Sequence, residues 1–274
     1  MSQPANPSAP TSVNRLPLFL ILLTLVVLTI NLIQLNRGQQ QIRQQSIEHQ
    51  FWTVCQPGFT AGQRRDAFIR LVRYGNLEWY SAKLHGLDLN GIELPNVILR
   101  RADFRGSKFA AANLANADLS ESILKETDLS RANFDKADIS ASDLFRADAT
   151  GASFKQSLLQ AAVLQEARLI NAQLQVADLA EADLLMADLT GANLAGANLT
   201  SARLEASTLK QTDLALARLS GAELKDTDFT DSNWWRARGL SSADLARLTK
   251  EFAPTTNAPA ELRDDFASWL TRSR

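Results

Sequence analysis

From Leu84 to Phe229 a large apolar residue returns at every fifth position, with Leu89, Leu94, Leu99, Phe104 and Phe109 opening the series and Leu214, Leu219 and Leu224 near its end. The thirty centres hold one phase throughout, and only Ala149 among them is small. Two positions before each centre, from Ala102 onward, stands Ala, Ser or Thr, and between the two Asp or Asn recurs. A period of five suits neither regular element. On a helix, five steps of about 100° turn successive centres by about 140° and scatter them round every face. On a flat strand, five steps alternate them between the two faces. One core follows only if each pentapeptide is a straight side of a turning coil. The centre and the small residue two before it then share the inward face, and four sides close a square of 20 residues. Coils spaced about 4.8 Å apart would make roughly 7.5 turns into a tower about 36 Å tall.

The pattern changes at both ends. Leu16 to Leu35, LPLFLILLTLVVLTINLIQL, is an uncharged apolar run of 20 residues, about 30 Å as a helix and so matched to a hydrocarbon core. Pro17 falls in a first turn that has no bond to lose. A cleaved signal peptide would have a shorter apolar core and an A-x-A site; here the run leads into glutamine and arginine, which favours a retained anchor. Residues 1–15 are rich in Pro, Ser and Asn and read as a disordered tail, and 36–58 as a glutamine-rich juxtamembrane stalk. Thr60 and Gln63 form a capping box for a helix carrying Phe68, Leu71 and Val72 and ending at Gly75; Asn76 to Tyr80 begins a second short turn. Residues 59–81 are thus an N-terminal helical cap on the repeats, which occupy 82–236. After Trp234 and Trp235, Ser241 and Asp244 start another helix. Leu262, Phe266, Trp269 and Leu270 then make an apolar stripe that needs the tower's end, a second copy or a membrane interface to cover it. Residues 237–274 are read as a C-terminal cap.

The units Ala102-Asp103-Phe104, Ala117-Asp118-Leu119 and Ala192-Asn193-Leu194 resemble the A-(D/N)-L-x-x motif of the pentapeptide-repeat proteins. The resemblance covers residues 82–231. It implies an all-β solenoid, a right-handed quadrilateral parallel β-helix. To this the sequence adds an N-terminal transmembrane helix and capping helices at both ends. Some members of that family bind DNA gyrase as mimics of duplex DNA, which the resemblance brings in as an alternative function.

Stacking by 20 lets the columns be read. One column of centres, Leu94, Leu114, Phe134, Phe154, Leu174, Leu194, Leu214 and Trp234, puts Phe134 over Phe154, with Ala149 small beside them. The outward column Asn113, Asn133, Ser153, Gln173, Asn193, Asp213, Asn233 predicts a side-chain amide ladder. Elsewhere acids are separated: Ile123 stands between Asp103 and Asp143, Val163 between Asp143 and Asp183, and Arg168 between Asp148 and Asp188. Asp118/Asp138 and Asp128/Asp148 stack like charges, where solvated carboxylates are expected rather than a bound cation.

Charge and chemistry narrow the function. The whole chain nets −1, but 82–236 holds 16 basic and 22 acidic residues, a difference of −6, behind a basic front with 7 and 3 over 1–81. One cysteine, Cys55, excludes an internal disulfide, and two histidines, His49 and His85, leave metal and general-base chemistry short of ligands. No phosphate loop, metal-ligand cluster or nucleophile elbow occurs. The expectation is a protein with no catalytic, cofactor or metal site: a membrane-anchored scaffold for an unknown protein partner. Nucleic acid is not expected to bind, and a homodimer stays open. A rigid spacer holding the C-terminal helices away from the membrane is a further alternative. The expected location is a bacterial inner membrane or an internal membrane, crossed once, with the side of the repeats left open.

Overall fold

The computed structural model of the protein describes residues 16–56, 58–74 and 82–272, and within these no side chain of 16–27, 51, 73 or 74. The expected tail at 1–15, the helix end at Gly75 and the turn at 76–80 lie outside the described residues. The chain forms two units, Met1–His49 and Gln50–Arg274. Helix α1 (Leu16–Cys55) runs 40 residues. It passes Leu35 without a break, because glutamine and arginine are good helix formers and no proline intervenes, Gly38 costing only about 1 kcal/mol; the span and the stalk as far as Cys55 are therefore one helix. Among the described residues no helix is long and apolar enough to cross a membrane, and the side chains of 16–27, the larger part of the expected span, lie outside them.

The repeats form a parallel right-handed β-helix. Every bridge joins residues 20 apart, from Lys83 with Asp103 to Arg218 with Arg238, so each turn has four sides. The N–H of every centre from Leu84 to Leu209 donates upward, as Leu119 does to Asp138 O at 2.7 Å, and from Asp103 on the residue before a centre donates downward, as Asp118 does to Val97 O at 2.8 Å. All thirty centres are buried, each leucine contributing roughly 1.5–3 kcal/mol gross. The small residues two before them are inward too. Where they are Ser or Thr, the buried hydroxyl donates to a backbone carbonyl, as Ser142 Oγ does to Ile139 O at 2.6 Å and Thr227 Oγ1 to Leu204 O at 2.7 Å. Phe134 and Phe154 stack one coil apart, with centroids 5.1 Å apart and planes 5° from parallel.

The corners hold a feature that the apolar pattern does not announce. The second residue after each centre, from Gly86 to Asp231, has positive φ at every one of 30 corners, and 23 of these residues are not glycine. A left-handed residue costs about 1–2 kcal/mol with an ordinary side chain. The cost is offset because that same N–H bonds the next coil, as Arg101 does to Ser120 O and Val176 to Ala195 O, both at 3.0 Å.

Helices close both ends of the stack. Thr60 and Gln63 exchange reciprocal hydrogen bonds ahead of α2 (Ala61–Tyr74). Phe68 of α2 meets Phe104 edge to face at 6.0 Å. Arg64 donates to His85 O at 2.8 Å and Arg65 to Asn90 O at 3.4 Å, supplying first-coil carbonyls with the donors that a preceding coil would have given. At the far end α3 (Ser242–Glu251), capped by Ser241, buries Leu248 completely, and its Arg247 donates to Leu224 O at 2.9 Å. Helix α4 (Ala260–Arg272) lays the predicted stripe against the tower's end: Phe266 lies 4.9 Å from Trp235, and Trp269 lies 5.5 Å from Trp234.

Candidate interaction surface

The recurring Asp or Asn has a structural task. From Asp88 to Asp228, all sixteen Asp and Asn residues directly before a centre accept the backbone N–H two residues on, closing the corner. A serine or threonine at that second position adds its hydroxyl, as Ser130 does to Asp128 and Thr190 to Asp188, both at 2.6 Å. Where the residue before the centre cannot cap, a neighbouring coil can: Asn90 accepts from Ala110 N–H above Lys108, and Asp135 from Lys155 N–H beside Ser153. These are Asx turns, each worth about 0.5–1.5 kcal/mol net.

With that rule on the page the four faces become distinguishable. In chain order, the first has the outward column Lys83, Asp103, Ile123, Asp143, Val163, Asp183, Arg203, Glu223, and the second the column that starts at Asp88. The third starts at Glu93. The fourth reads Ile98, Asp118, Asp138, Leu158, Asp178, Asn198, Arg218, Arg238. The apolar members of all four columns are Ile98, Ile123, Leu158 and Val163, and every one lies on the first or fourth face, which share an edge. Each forgoes a turn cap, at the N–H of Arg100, Lys125, Gln160 and Gln165 respectively. Ile98 and Leu158 are 47% and 41% exposed. Phe145, Leu185 and the exposed Met186 lie on the outer corner of the first face, where the Arg146 guanidinium sits 4.8 Å from the Phe145 ring.

Several acids on these two faces are paired with cations across coils. Asp143 meets Lys125 at 2.9 Å, Asp183 meets Arg203 at 2.6 Å, and Asp118 meets Arg100 at 2.5 Å. Burial pushes the Asp103 carboxyl up, but hydrogen bonds from Arg105 outweigh it and hold the group below the usual carboxylate range. The surface is therefore apolar points set among largely paired charge. The sequence shows Ile123 and Val163 only as spacers between acids; their sharing one half of the tower with Ile98 and Leu158 follows from reading the columns by face.

Two expectations about the outward columns are refined. The amide ladder forms only at its ends, where Asn113 donates to Glu93 at 2.7 Å, Asn133 to Asn113 at 3.4 Å and Asn233 to Asp213 at 2.7 Å. Between them it breaks, because Ser153 turns to Asp135, and Gln173 turns to Asn171 O and Gln175. The stacked acids are held by ordinary partners, Asp118 by Ser120 and Arg100 and Asp148 by Thr150 and Arg168. Among the described residues no group could hold a metal ion.

A cleft of about 650 Å³ opens between the last coil and α4, lined by Asp213, Asp231, Asn233, Arg236 and Asp265 among others. Its polar groups serve the cap. Asp265 accepts from Trp235 Nε1 at 2.7 Å and from Arg236 Nε at 2.8 Å, and Asp231 accepts from the Thr255 N–H and hydroxyl. The Arg236 bond, helped by Trp235 and opposed by burial, holds the Asp265 carboxyl below its ordinary range.

Three solved structures are similar to part of this chain. HetL, from the cyanobacterium Nostoc sp. strain PCC 7120 and involved in heterocyst differentiation regulation, is 26% identical, with 61% of this chain and 95% of that one covered and a TM-score of 0.36. QnrB1, a plasmid-mediated fluoroquinolone resistance protein, is 18% identical, with 60% and 96% covered and a TM-score of 0.43. A pentapeptide repeat protein from the Arabidopsis thaliana thylakoid lumen is 21% identical, with 57% and 90% covered and a TM-score of 0.30. Among curated proteins none matches significantly. The family model for pentapeptide repeats matches residues 80–114, 112–148, 142–179, 157–196 and 197–233, more than half of the 274 residues. The chain belongs to the pentapeptide-repeat family.

Proposed function

We propose that this chain is a non-catalytic, membrane-anchored scaffold that offers the first and fourth faces of its β-helix to a protein partner. The observation that carries the reading is the placement of Ile98, Ile123, Leu158 and Val163 on two adjacent faces, at positions where the fold elsewhere takes a turn-capping Asp or Asn. One face, roughly 36 Å by 10 Å, offers about 360 Å²; two adjacent faces approach the roughly 800 Å² that a stable partner covers. Residues 16–35 are the proposed single span of a bacterial inner or internal membrane. The exposed Leu28, Ile30, Leu32, Ile33 and Leu35 support it, because at about 100° per residue they spread over roughly 220° of the helix circumference, a wide apolar arc suited to lipid.

The test is photo-crosslinking in cells from a benzophenone side chain placed singly at Leu158, Val163, Asp148 and Gln173. Leu158 and Val163 should give one shared protein adduct that the other two positions do not give. Lipid adducts alone, or the same neighbours from all four positions, overturn the reading. Alkaline carbonate extraction tests the anchor, which predicts that the chain stays in the membrane pellet. A cytoplasm-only reporter fused at Arg274 assigns the side of the repeats. The DNA-mimic alternative meets a mismatch of magnitude: a duplex carries one charge per about 1.7 Å, roughly twenty over about 36 Å, whereas the repeats net −6.

A further inference from the structure

The fourth face ends in an unrelieved pair of like charges. Arg218 and Arg238 are bridged directly on successive coils, and theirs is the one cation–cation bridge among the described residues. The backbone holds them there: Arg238 N–H donates to Ala217 O at 2.7 Å, Leu219 N–H to Arg238 O at 2.8 Å and Leu216 N–H to Arg236 O at 3.0 Å. Gly239 follows at φ 81°, and a Cβ on it would lie 2.9 Å from Ser220 N, so the chain is pressed onto the coil below immediately after the pair. Both arginines are exposed, and among the described residues neither reaches a carboxylate. The other two arginines of the outward columns do: Arg168 meets Asp148, and Arg203 meets Asp183 and Glu223. The stacked acids at Asp118/Asp138 and Asp128/Asp148 are likewise relieved by hydroxyls and arginine. Like charges set opposite one another are unfavourable, and among the described residues no carboxylate offsets this pair.

We propose that Arg218 and Arg238 form a binding site for a phosphate group. The two side chains leave backbones about 4.8 Å apart, and each guanidinium fork can take one edge of a phosphate monoester, whose three free oxygens provide more than one such edge, whereas a carboxylate has only one. A dianion also cancels the two charges. The exposed Leu216, two residues before Arg218, provides an apolar contact beside the site.

Inorganic phosphate is the first probe, read by 31P line broadening against the full chain in detergent micelles at fixed ionic strength. Saturable broadening in the millimolar range is expected. Arg218→Gln and Arg238→Gln should each weaken it by about tenfold. Their melting temperatures should match or exceed the parent's, since the like-charge contact is gone. Arg218→Lys, which keeps the charge without the fork, should fall between. Competition by glycerol phosphate and by dihexanoyl phosphatidic acid then identifies the source. Equal competition marks a soluble phosphate ester, and stronger competition by the lipid, reduced in Leu216→Asn, marks a headgroup. Broadening unchanged in both glutamine variants, or absent at about 20 mM phosphate, overturns the proposal.

Discussion

The two halves of the tower's surface are built on one backbone and treat it differently. On the second and third faces every residue before a centre is polar, and each Asp and Asn there, up to Asp228, closes a corner. On the first and fourth, four such places hold β-branched or leucine side chains that close nothing and meet water instead. Since all four faces have the same corners to close, the fold does not account for the difference. These departures, which sacrifice a local bond and gather on adjacent faces, are what the proposed contact surface rests on.

The largest effect that sharpens the comparison lies beneath both halves. Leu184→Asp puts a charge at a fully buried centre and should cost more than about 4 kcal/mol; thermal melting should show the cooperative transition lost. A parent-like melt would mean that inward and outward positions are misassigned on every face. Next, on the second face, Asp128→Ala removes the cap to the Ser130 N–H and the bond from its hydroxyl. It should lower stability by about 1–2 kcal/mol in urea titration and leave partner crosslinking untouched.

The C-terminal cap supplies a pH test that both halves should share equally. Asp265 has a depressed carboxyl pKa in the folded chain, set first by Arg236. Its stabilisation is therefore complete above the unfolded carboxylate value of about 4 and is lost as pH falls through the lower folded value. Tryptophan emission should shift to the red in that acid window while the β-sheet circular dichroism persists, and Asp265→Asn should remove the separate step. The smallest change in stability is the most telling. Val163→Asn on the first face gives the Gln165 N–H the cap that Asp183 gives Leu185. Stability should stay level or rise by up to about 1 kcal/mol, while the partner adduct disappears. Loss of both together would make Val163 a packing residue and erase the contrast between the halves.

Much of this molecule was legible in its residues. The phase of leucines from Leu84 to Phe229, the small residues before them, the Phe134–Phe154 stack and the capping boxes at Thr60 and Ser241 are local or strictly periodic, so spacing alone carries them. The amide ladder was only partly legible, because Ser153 and Gln173 choose among partners on neighbouring coils. The left-handed corners were not legible at all, since glutamate, arginine and even Val176 adopt a conformation that their own propensities oppose.

By itself, then, the sequence determined which residues point inward and that four sides make a turn, because burial of a large apolar side chain at every fifth position admits one geometry. Tertiary structure decided the rest. Stacking supplies the hydrogen bonds that hold non-glycine corners at positive φ, and sets Ile98 and Leu158 on the face that adjoins Ile123 and Val163. It also places Arg218 under Arg238 and closes both ends with arginine donors to backbone carbonyls. The corner bonds, the arginine pair and the end closures each join groups 19 or more residues apart within a few ångströms, a proximity that only the closed coil creates.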